Sequence, residues 1–392
     1  MSRPRLIVIG AGPVGLAAAL GGVRRGWDVT VLESEEVGAS LRRWGPTRFF
    51  SPLAMNLPPG ARAILAGGLP PDDALLTGPK FVERILAPLA RTAPLEGRVR
   101  EKHRVVAVGR AGLTRGDFAG HPIRAERPFR VLVETPTGEQ TFEAEAVLDA
   151  SGVYRNPAAV GAGGLPAPGE RHLGDALLRD LGALHALGPG LRDRRILLVG
   201  HGHSAANALG TLAALPERAP ATRVVWATRS LHRRPCVEVS PDPLPERQAV
   251  AARANALAAE PPPWLRVERR ASVLAFAPHP DGGWDVALSG GRSATVDAVV
   301  GLTGYRPDLS YLSELALEIA PATEGAARLA KALTHVTDCL SPPKLRPADL
   351  ESGEPGFHLI GSKSYGRART FLLESGYAQV ETILDRLAGA SA

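Results

Sequence analysis

The feature that most constrains this chain is a strand, a glycine turn, a helix and a second strand compressed into its first 33 residues. Residues 6–9, Leu-Ile-Val-Ile, are a short apolar, β-branched run that reads as a buried parallel strand. Gly10, Gly12 and Gly15 follow at G-x-G-x-x-G spacing, with Pro13 inside the turn. Gly10 lets the chain turn sharply, and Gly12 lets a pyrophosphate approach the backbone. Gly15 lets the next helix, residues 16–23, pack close to the strand. The free N–H groups and positive dipole end of that helix face the phosphates. A second strand, residues 28–32, ends in Glu33, 18 residues after Gly15. An acid roughly 20 residues on is the one that binds ribose hydroxyls. A bare glycine triplet says little; strand, glycines, helix, strand and terminal acid in order say much more.

The pattern recurs from residue 195. Ile196-Leu-Leu-Val199 is a strand, and Gly200, Gly202 and Ala205 hold the three turn positions, with His203 and Ser204 opening the next helix. The following strand, residues 223–228, ends in Arg229 where the first copy has Glu33, and Arg234 lies five residues on. Arginines at this place pair with a ribose 2′-phosphate, which an acid would repel. The second unit therefore reads as preferring NADPH over NADH.

Between the copies, residues 35–58 form a Gly- and Pro-rich loop. It carries Arg42, Arg43, Arg48, Ser51 and Asn56 to the end of the sheet where ligands bind. Residues 81–92 have helical periodicity, residues 104–110 form a strand that contains Val105, and residues 128–135 and 138–145 pair antiparallel. The strand 146–149 ends in Asp149, Ser151 and Gly152, which let the chain pass close to a bound nucleotide. Residues 154–169 read as a linker and 175–187 as a helix. Residues 264–277 and 284–288 read as strands, and 242–259 and 370–387 as helices.

Composition bounds the rest. At 392 residues the chain suggests two domains, or one with a large insertion. The net charge of +6 is mostly arginine scattered along the chain, with no basic run interleaved with aromatics, so no nucleic-acid partner is expected. No apolar run is long enough to span a membrane, and the opening Met-Ser-Arg-Pro runs straight into the first strand, so a cytoplasmic location is expected. Cys236 and Cys339 make no C-x-x-C and no zinc spacing, so no metal is expected.

Two glycine fingerprints in this order resemble the two-dinucleotide-binding-domain flavoproteins. The resemblance rests on Gly10, Gly12, Gly15 and Glu33, on Asp149-Ala-Ser-Gly152 and on Gly200-His-Gly-His-Ser-Ala205. Thr303-Gly304-Tyr305-Arg-Pro307 and Gly356-Phe-His-Leu-Ile-Gly361 complete it. Gly-x-Gly-x-Ser-Ala and Thr-Gly-Tyr-x-Pro look most like the class B flavin monooxygenases. The resemblance implies an α/β chain with two Rossmann-like three-layer nucleotide-binding domains, the NADPH domain inserted in the FAD domain. The expected bounds are 1–160 and 301–392 for FAD and 161–300 for NADPH. It places Gly10, Gly12, Gly15 and Glu33 on FAD and Gly200, Gly202, Ser204 and Arg229 on NADPH. It likens Asn56 to an asparagine that contacts flavin and nicotinamide. Pro13, Arg48, Val105, Ser151, Gly152, His203, Ala205, Arg234, Gly304, Tyr305, Gly361 and Ser362 complete the expected cofactor contacts. The group's hallmark Phe-x-Gly-x-x-x-His is absent; Pro166-Ala-Pro-Gly-Glu-Arg-His172 stands in its place. The related reductases end their last strand in Gly-Asp, whereas this chain has Gly361-Ser362-Lys363.

In such proteins the flavin does the redox chemistry, and the protein supplies placement and electrostatics. Hydride arriving at flavin N5 leaves negative charge near N1 and O2. Lys363 and Arg367, at the start of the last helix, are the expected cations there. The leading expectation is a monooxygenase that oxygenates a small molecule through an O₂ adduct at flavin C4a. The alternative is an NADPH-dependent reductase of a disulfide, quinone or small protein. A non-catalytic nucleotide sensor is disfavoured by two intact fingerprints. A homodimer is left open. His201, His203, Cys236 and Cys339 read as loop or core residues before catalytic ones, and His358 as core.

Overall fold

The structure is a computed structural model that describes residues 3–390 apart from Ala66 and Thr337. In chain order, β1 (Arg5–Ile9), β2 (Asp28–Leu32) and β3 (Val99–Arg100) run parallel. An antiparallel meander follows, formed by β4 (Arg104–Arg110), β5 (Phe129–Thr135) and β6 (Gly138–Ala144). The chain returns to the first sheet as β7 (Ala146–Asp149). A second parallel sheet takes β8 (Leu177–Leu178), β9 (Arg195–Val199), β10 (Arg223–Thr228) and β11 (Leu265–Arg269). A second meander, β12 (Val273–Pro278), β13 (Trp284–Leu288) and β14 (Arg292–Val296), precedes β15 (Ala298–Gly301), which rejoins the second sheet. Finally β16 (Phe357–Leu359) rejoins the first. The sheet orders are β16-β7-β1-β2-β3 and β11-β10-β9-β15-β8. These are two Rossmann-like units, as the sequence predicts, and each carries an antiparallel meander of its own.

The apolar runs explain the sheets. Leu6 and Val8 are wholly buried, as are Ile196, Leu197 and Leu198, because parallel strands flanked on both faces leave no side for water. Each such side chain contributes about 1.5–3 kcal/mol of burial. The first helix, Pro13–Arg24, packs against the last, Leu373–Ala390. Gly21 lets the two helices approach closely: Leu384 Cδ1 lies 2.6 Å from where a Cβ would stand and would have to move to admit one.

Three boundaries differ from the sequence reading. Residues 264–277 are two strands in two sheets, because Arg270 adopts a left-handed φ of 51° and turns the chain between them. Of residues 175–187 only Leu181–Leu187 is α-helical, started by Asp180, whose Oδ1 accepts the Ala183 N–H at 2.7 Å. The last helix, Leu373–Ala390, lies close to its expected place, but its entry differs: a separate short helix, Ser362–Tyr365, precedes it and ends at Gly366, φ 61°. Lys363 and Arg367 therefore do not begin the last helix. The stretch 154–169 is also more than a linker. Buried Glu170 accepts the backbone N–H groups of Val160 and Ala167 and pairs with Arg179, which anchors it.

The first meander is tied to the C-terminal segment by a buried triad. Glu354 pairs with Arg110 at 2.9 Å and Arg124 at 2.8 Å, and none of the three side chains is more than 1% exposed. Among the described residues, no helix is long and apolar enough to cross a membrane.

Candidate nucleotide and flavin sites

In each parallel sheet the chain leaves its central strand to one side and returns on the other. The crevices at the carboxyl ends, between β1 and β7 and between β9 and β15, are where such sheets take ligands. At the first crevice Gly10 has φ 97°, and a Cβ there would stand 3.0 Å from Ala150 O and Ser151 Cα. A Cβ on Gly15 would lie 1.9 Å from Gly10 O, so this glycine is set by strand–helix packing. Gly12 is different: a Cβ there would meet nothing within 4 Å. The first helix starts here with Pro13 in its first turn and no side-chain cap. Open space before uncapped N–H groups fits a pyrophosphate.

Glu33 is buried and braces this turn. Its Oε2 accepts the Ala11 N–H at 2.8 Å and its Oε1 the Glu35 N–H at 2.9 Å. Its backbone carbonyl accepts from His103 N at 2.7 Å, which brings the start of β4 alongside. Val105, two residues on, is 9% exposed and pairs with Val133. Gly152 has φ 72°, and the only atom its missing Cβ would meet is Ser362 Oγ at 3.4 Å, so β7 and β16 end side by side. Gly361, at φ 64°, faces Val14 of the first helix.

Three expected contacts are placed differently. Asn56 is buried and its amide is fully engaged. Nδ2 donates to Ser51 O at 2.9 Å and Pro52 O at 3.1 Å, and Oδ1 accepts from Ser51 Oγ at 2.9 Å. Tyr377 OH donates to its carbonyl at 2.6 Å, so Asn56 fastens the loop to the last helix. Arg367 is not a free cation. It and Arg306 both grip Glu324, at 2.7 and 3.0 Å. Lys363 is wholly buried, with Nζ 2.8 Å from equally buried Asp149 Oδ2. It also donates to Ser151 Oγ at 2.9 Å and to Tyr311 OH. Asp149 thus sits beneath the crevice. Arg48 is exposed, its backbone bridged to Thr77 and its side chain unpartnered among the described residues.

Hydrogen bonds from Arg306 and Arg367 hold the Glu324 carboxyl down at about 2. A lowered carboxyl pKa stabilises the fold above its unfolded value of 4.5, and that contribution is lost as pH falls toward 2. Glu324→Gln is expected to flatten the acid limb of melting temperature against pH across this window. An unchanged limb would show that the cluster carries no such linkage.

The second crevice repeats the first. Gly200 has φ 123°, and its Cβ would lie 2.3 Å from Leu302 O, while Gly202 again opens on empty space. Wholly buried Trp226 donates Nε1–H to Gly200 O at 2.6 Å and holds the turn. Ala205 is wholly buried. His203 starts the uncapped helix His203–Ala213, edge-on to Phe50 with centroids 5.3 Å apart, and Ser204 follows it half-buried. Burial, then the charges of Arg369 and Arg229, lowers the His201 pKa, so cations from the second unit and from the C-terminal segment reach this loop. Arg229, Arg234 and Arg369 are exposed and unpartnered among the described residues. Gly304, at φ 99°, also opens on empty space. Tyr305 donates to Arg179 O at 3.3 Å and lies edge-on to Tyr154, centroids 4.8 Å apart. Tyr154 in turn meets Trp44, and Trp44 meets Phe49 at 4.8 Å.

The thiols are quiet. Burial pushes Cys236 up to about 11. Burial also raises Cys339, although Arg247 Nη1 lies 3.1 Å from its Sγ. His358 is buried, Nδ1 2.9 Å from Leu350 O. Among the described residues no group of His, Cys, Asp and Glu could hold a metal. Sequence reading missed Tyr311, Glu324 and Trp226. An acid closing an apolar strand, Asp149, was the one visible signal of the buried pair.

Residues 4–327 match the family model described as pyridine nucleotide-disulphide oxidoreductase. No curated protein matches the sequence. Among solved structures, bacillithiol disulfide reductase Bdr from Bacillus cereus is 19% identical with a TM-score of 0.71, covering 99% of this chain and 100% of that one. A flavin-containing monooxygenase from Stenotrophomonas maltophilia is 18% identical with a TM-score of 0.64, covering 100% of each chain. The ornithine N-hydroxylase of Kutzneria is 15% identical with a TM-score of 0.64, also covering 100% of each. At these identities the likeness is one of fold. The family match spans most of the sequence, and the chain belongs to the pyridine nucleotide-disulphide oxidoreductase family as a flavoprotein enzyme that uses FAD and NADPH.

Proposed function

We propose that the protein is an NADPH-driven flavin monooxygenase that places one oxygen atom from O₂ on a small molecule. The observation that carries this reading is the state of its two cysteines. Cys236 and Cys339 are both free and burial raises both thiols, so the chain offers no dithiol relay, and in this reading electrons pass from the cofactor directly to a diffusible acceptor. The aromatic run Phe49, Trp44, Tyr154 and Tyr305 joins the first loop to the Thr-Gly-Tyr turn.

FAD supplies hydride acceptance from NADPH and onward electron transfer. The chain supplies the grip. In this reading the Gly10–Gly12 turn and first helix hold the FAD pyrophosphate, and Glu33 the adenosine ribose. The Gly200–Gly202 turn, Ser204 and the next helix hold the NADPH pyrophosphate, and Arg229 and Arg234 the 2′-phosphate. The domain division at 1–160, 161–300 and 301–392 belongs to the same proposal.

Charge-assisted hydrogen bonds contribute about 1.5–3 kcal/mol each. The double variant Arg229→Ala, Arg234→Ala is therefore expected to raise KM for NADPH on the order of 10–100-fold and leave KM for NADH nearly unchanged. Equal changes for both nucleotides would remove the arginines from 2′-phosphate recognition.

A second reading, reduction of a small external disulfide, is favoured by the full engagement of the Asn56 amide. Oxygen separates the two. A monooxygenase consumes one O₂ per NADPH, and with its substrate bound releases little H₂O₂. Substrate-dependent NADPH oxidation that persists without O₂ would overturn the proposal in favour of the reductase.

A further inference from the structure

The buried Asp149–Lys363 pair has no part in the nucleotide contacts above. Matched apolar side chains would fill such a space as stably as an ion pair, so its retention asks for a role. Its hydrogen bonds can be counted. Lys363 directs its three N–H groups to Asp149 Oδ2 at 2.8 Å, Ser151 Oγ at 2.9 Å and Tyr311 OH. Tyr311 gives its own proton to Asp149 Oδ2 at 2.7 Å, and Ser151 N–H donates to Asp149 Oδ1 at 3.1 Å. Burial and the neighbouring Asp149 push the Tyr311 phenol well up, so it keeps that proton. Every hydrogen is then placed but one. Among the described residues the Ser151 hydroxyl hydrogen has only Tyr311 OH, 3.1 Å away, as an acceptor. Ser151 is half-buried, whereas Asp149 and Lys363 are sealed.

The sheet order says what lies outside Ser151. Glu33 ends β2 and Gly12 follows β1, so adenosine and pyrophosphate occupy the β1–β2 side of the switch point. The flavin half of FAD must run the other way, over the ends of β7 and β16, where Ser151, Gly152 and Ser362 stand together.

We propose that Ser151 is a hydrogen-bond donor to the flavin half of FAD, with Lys363, Asp149 and Tyr311 as positioning residues that aim and polarise its hydroxyl so that reduced FAD is held more tightly than oxidised FAD. The ammonium at Ser151 Oγ draws electron density from the O–H bond and makes it a better donor to a ring that gains charge on reduction. This goes beyond the monooxygenase reading and holds whichever acceptor takes the electrons.

The test is the midpoint potential of the holoenzyme, measured against a reference dye, with FAD affinity measured by titrating the apoprotein. Ser151→Ala is expected to keep FAD while the ratio of reduced to oxidised affinity falls about tenfold, a potential about 30 mV lower for a two-electron couple. The neutral pair Asp149→Asn, Lys363→Met should give a shift in the same direction, and adding Ser151→Ala to it should give little more. Tyr311→Phe keeps both charges and takes over the test if the neutral pair does not fold. An unchanged potential in Ser151→Ala overturns the proposal, as do shifts that simply add. A purely structural network would lower the melting temperature of the Lys363 variant and leave the potential at the wild-type value. Wild-type protein that binds no FAD overturns the proposal together with the cofactor assignment, whereas a monooxygenase assay that fails with an intact potential shift overturns only the acceptor.

Discussion

Glu354→Ala is expected to destabilise the protein by about 3–5 kcal/mol, the usual result of leaving buried charge without its partner. Glu354 neutralises two guanidiniums, those of Arg110 and Arg124, inside the joint between the first meander and the C-terminal segment. Without it Arg110 keeps the carbonyl of Arg127 and Arg124 those of Thr114 and Asp117, but two positive charges then face each other in low dielectric. The Ala316 N–H also loses its acceptor, which stood at 3.0 Å. At roughly 2–4 °C per kcal/mol for larger domains, the melting temperature should fall on the order of 10 °C. FAD must be saturating in both samples, since a bound ligand adds apparent stability. Arg328→Ala breaks part-exposed pairs with Glu318 and Glu351 and should cost at most about 1 kcal/mol per pair. Equal effects of the two substitutions would show that burial is not what makes the Glu354 triad important.

Gly12→Val is expected to give a folded protein that binds FAD on the order of 100-fold more weakly, because the new side chain fills the space the pyrophosphate needs. The contrast is with Gly15→Val. A Cβ at Gly15 stands 1.9 Å from Gly10 O and must force strand and helix apart, so folding itself fails. At Gly12 the nearest atom is beyond 4 Å, so the apoprotein keeps its melting temperature. Two glycines three residues apart thus separate packing from binding. FAD retained by Gly12→Val at wild-type affinity would place the pyrophosphate elsewhere. The parallel pair, Gly202 against Gly200, should separate NADPH binding from folding in the second unit.

Much of the architecture was legible in the residues, and for local reasons. Apolar β-branched runs bounded by glycine declare buried parallel strands, and the turn glycines report a backbone φ that other residues avoid. Arg270, a left-handed residue that is not glycine, divided a predicted strand without any composition signal. Asn56 shows the limit from another side. Its residue type and neighbours suggested a ligand contact, but its amide closes on carbonyls four and five residues before it.

The sequence alone determined two nucleotide folds, their order, the position of each glycine turn and the acid-against-arginine contrast of Glu33 and Arg229. These are encoded in contiguous stretches, where spacing translates directly into backbone geometry. Only the tertiary structure decided which charges are free. Lys363 reaches Asp149 across 214 positions, Glu354 reaches Arg124 across 230, and Arg367 reaches Glu324 across 43. An ion pair depends on distance and burial, and neither is a property of neighbours in the chain. The cations that sequence placed beside the flavin are therefore neutralised within the fold, whereas Arg229, Arg234 and Arg369 are exposed and unpartnered among the described residues.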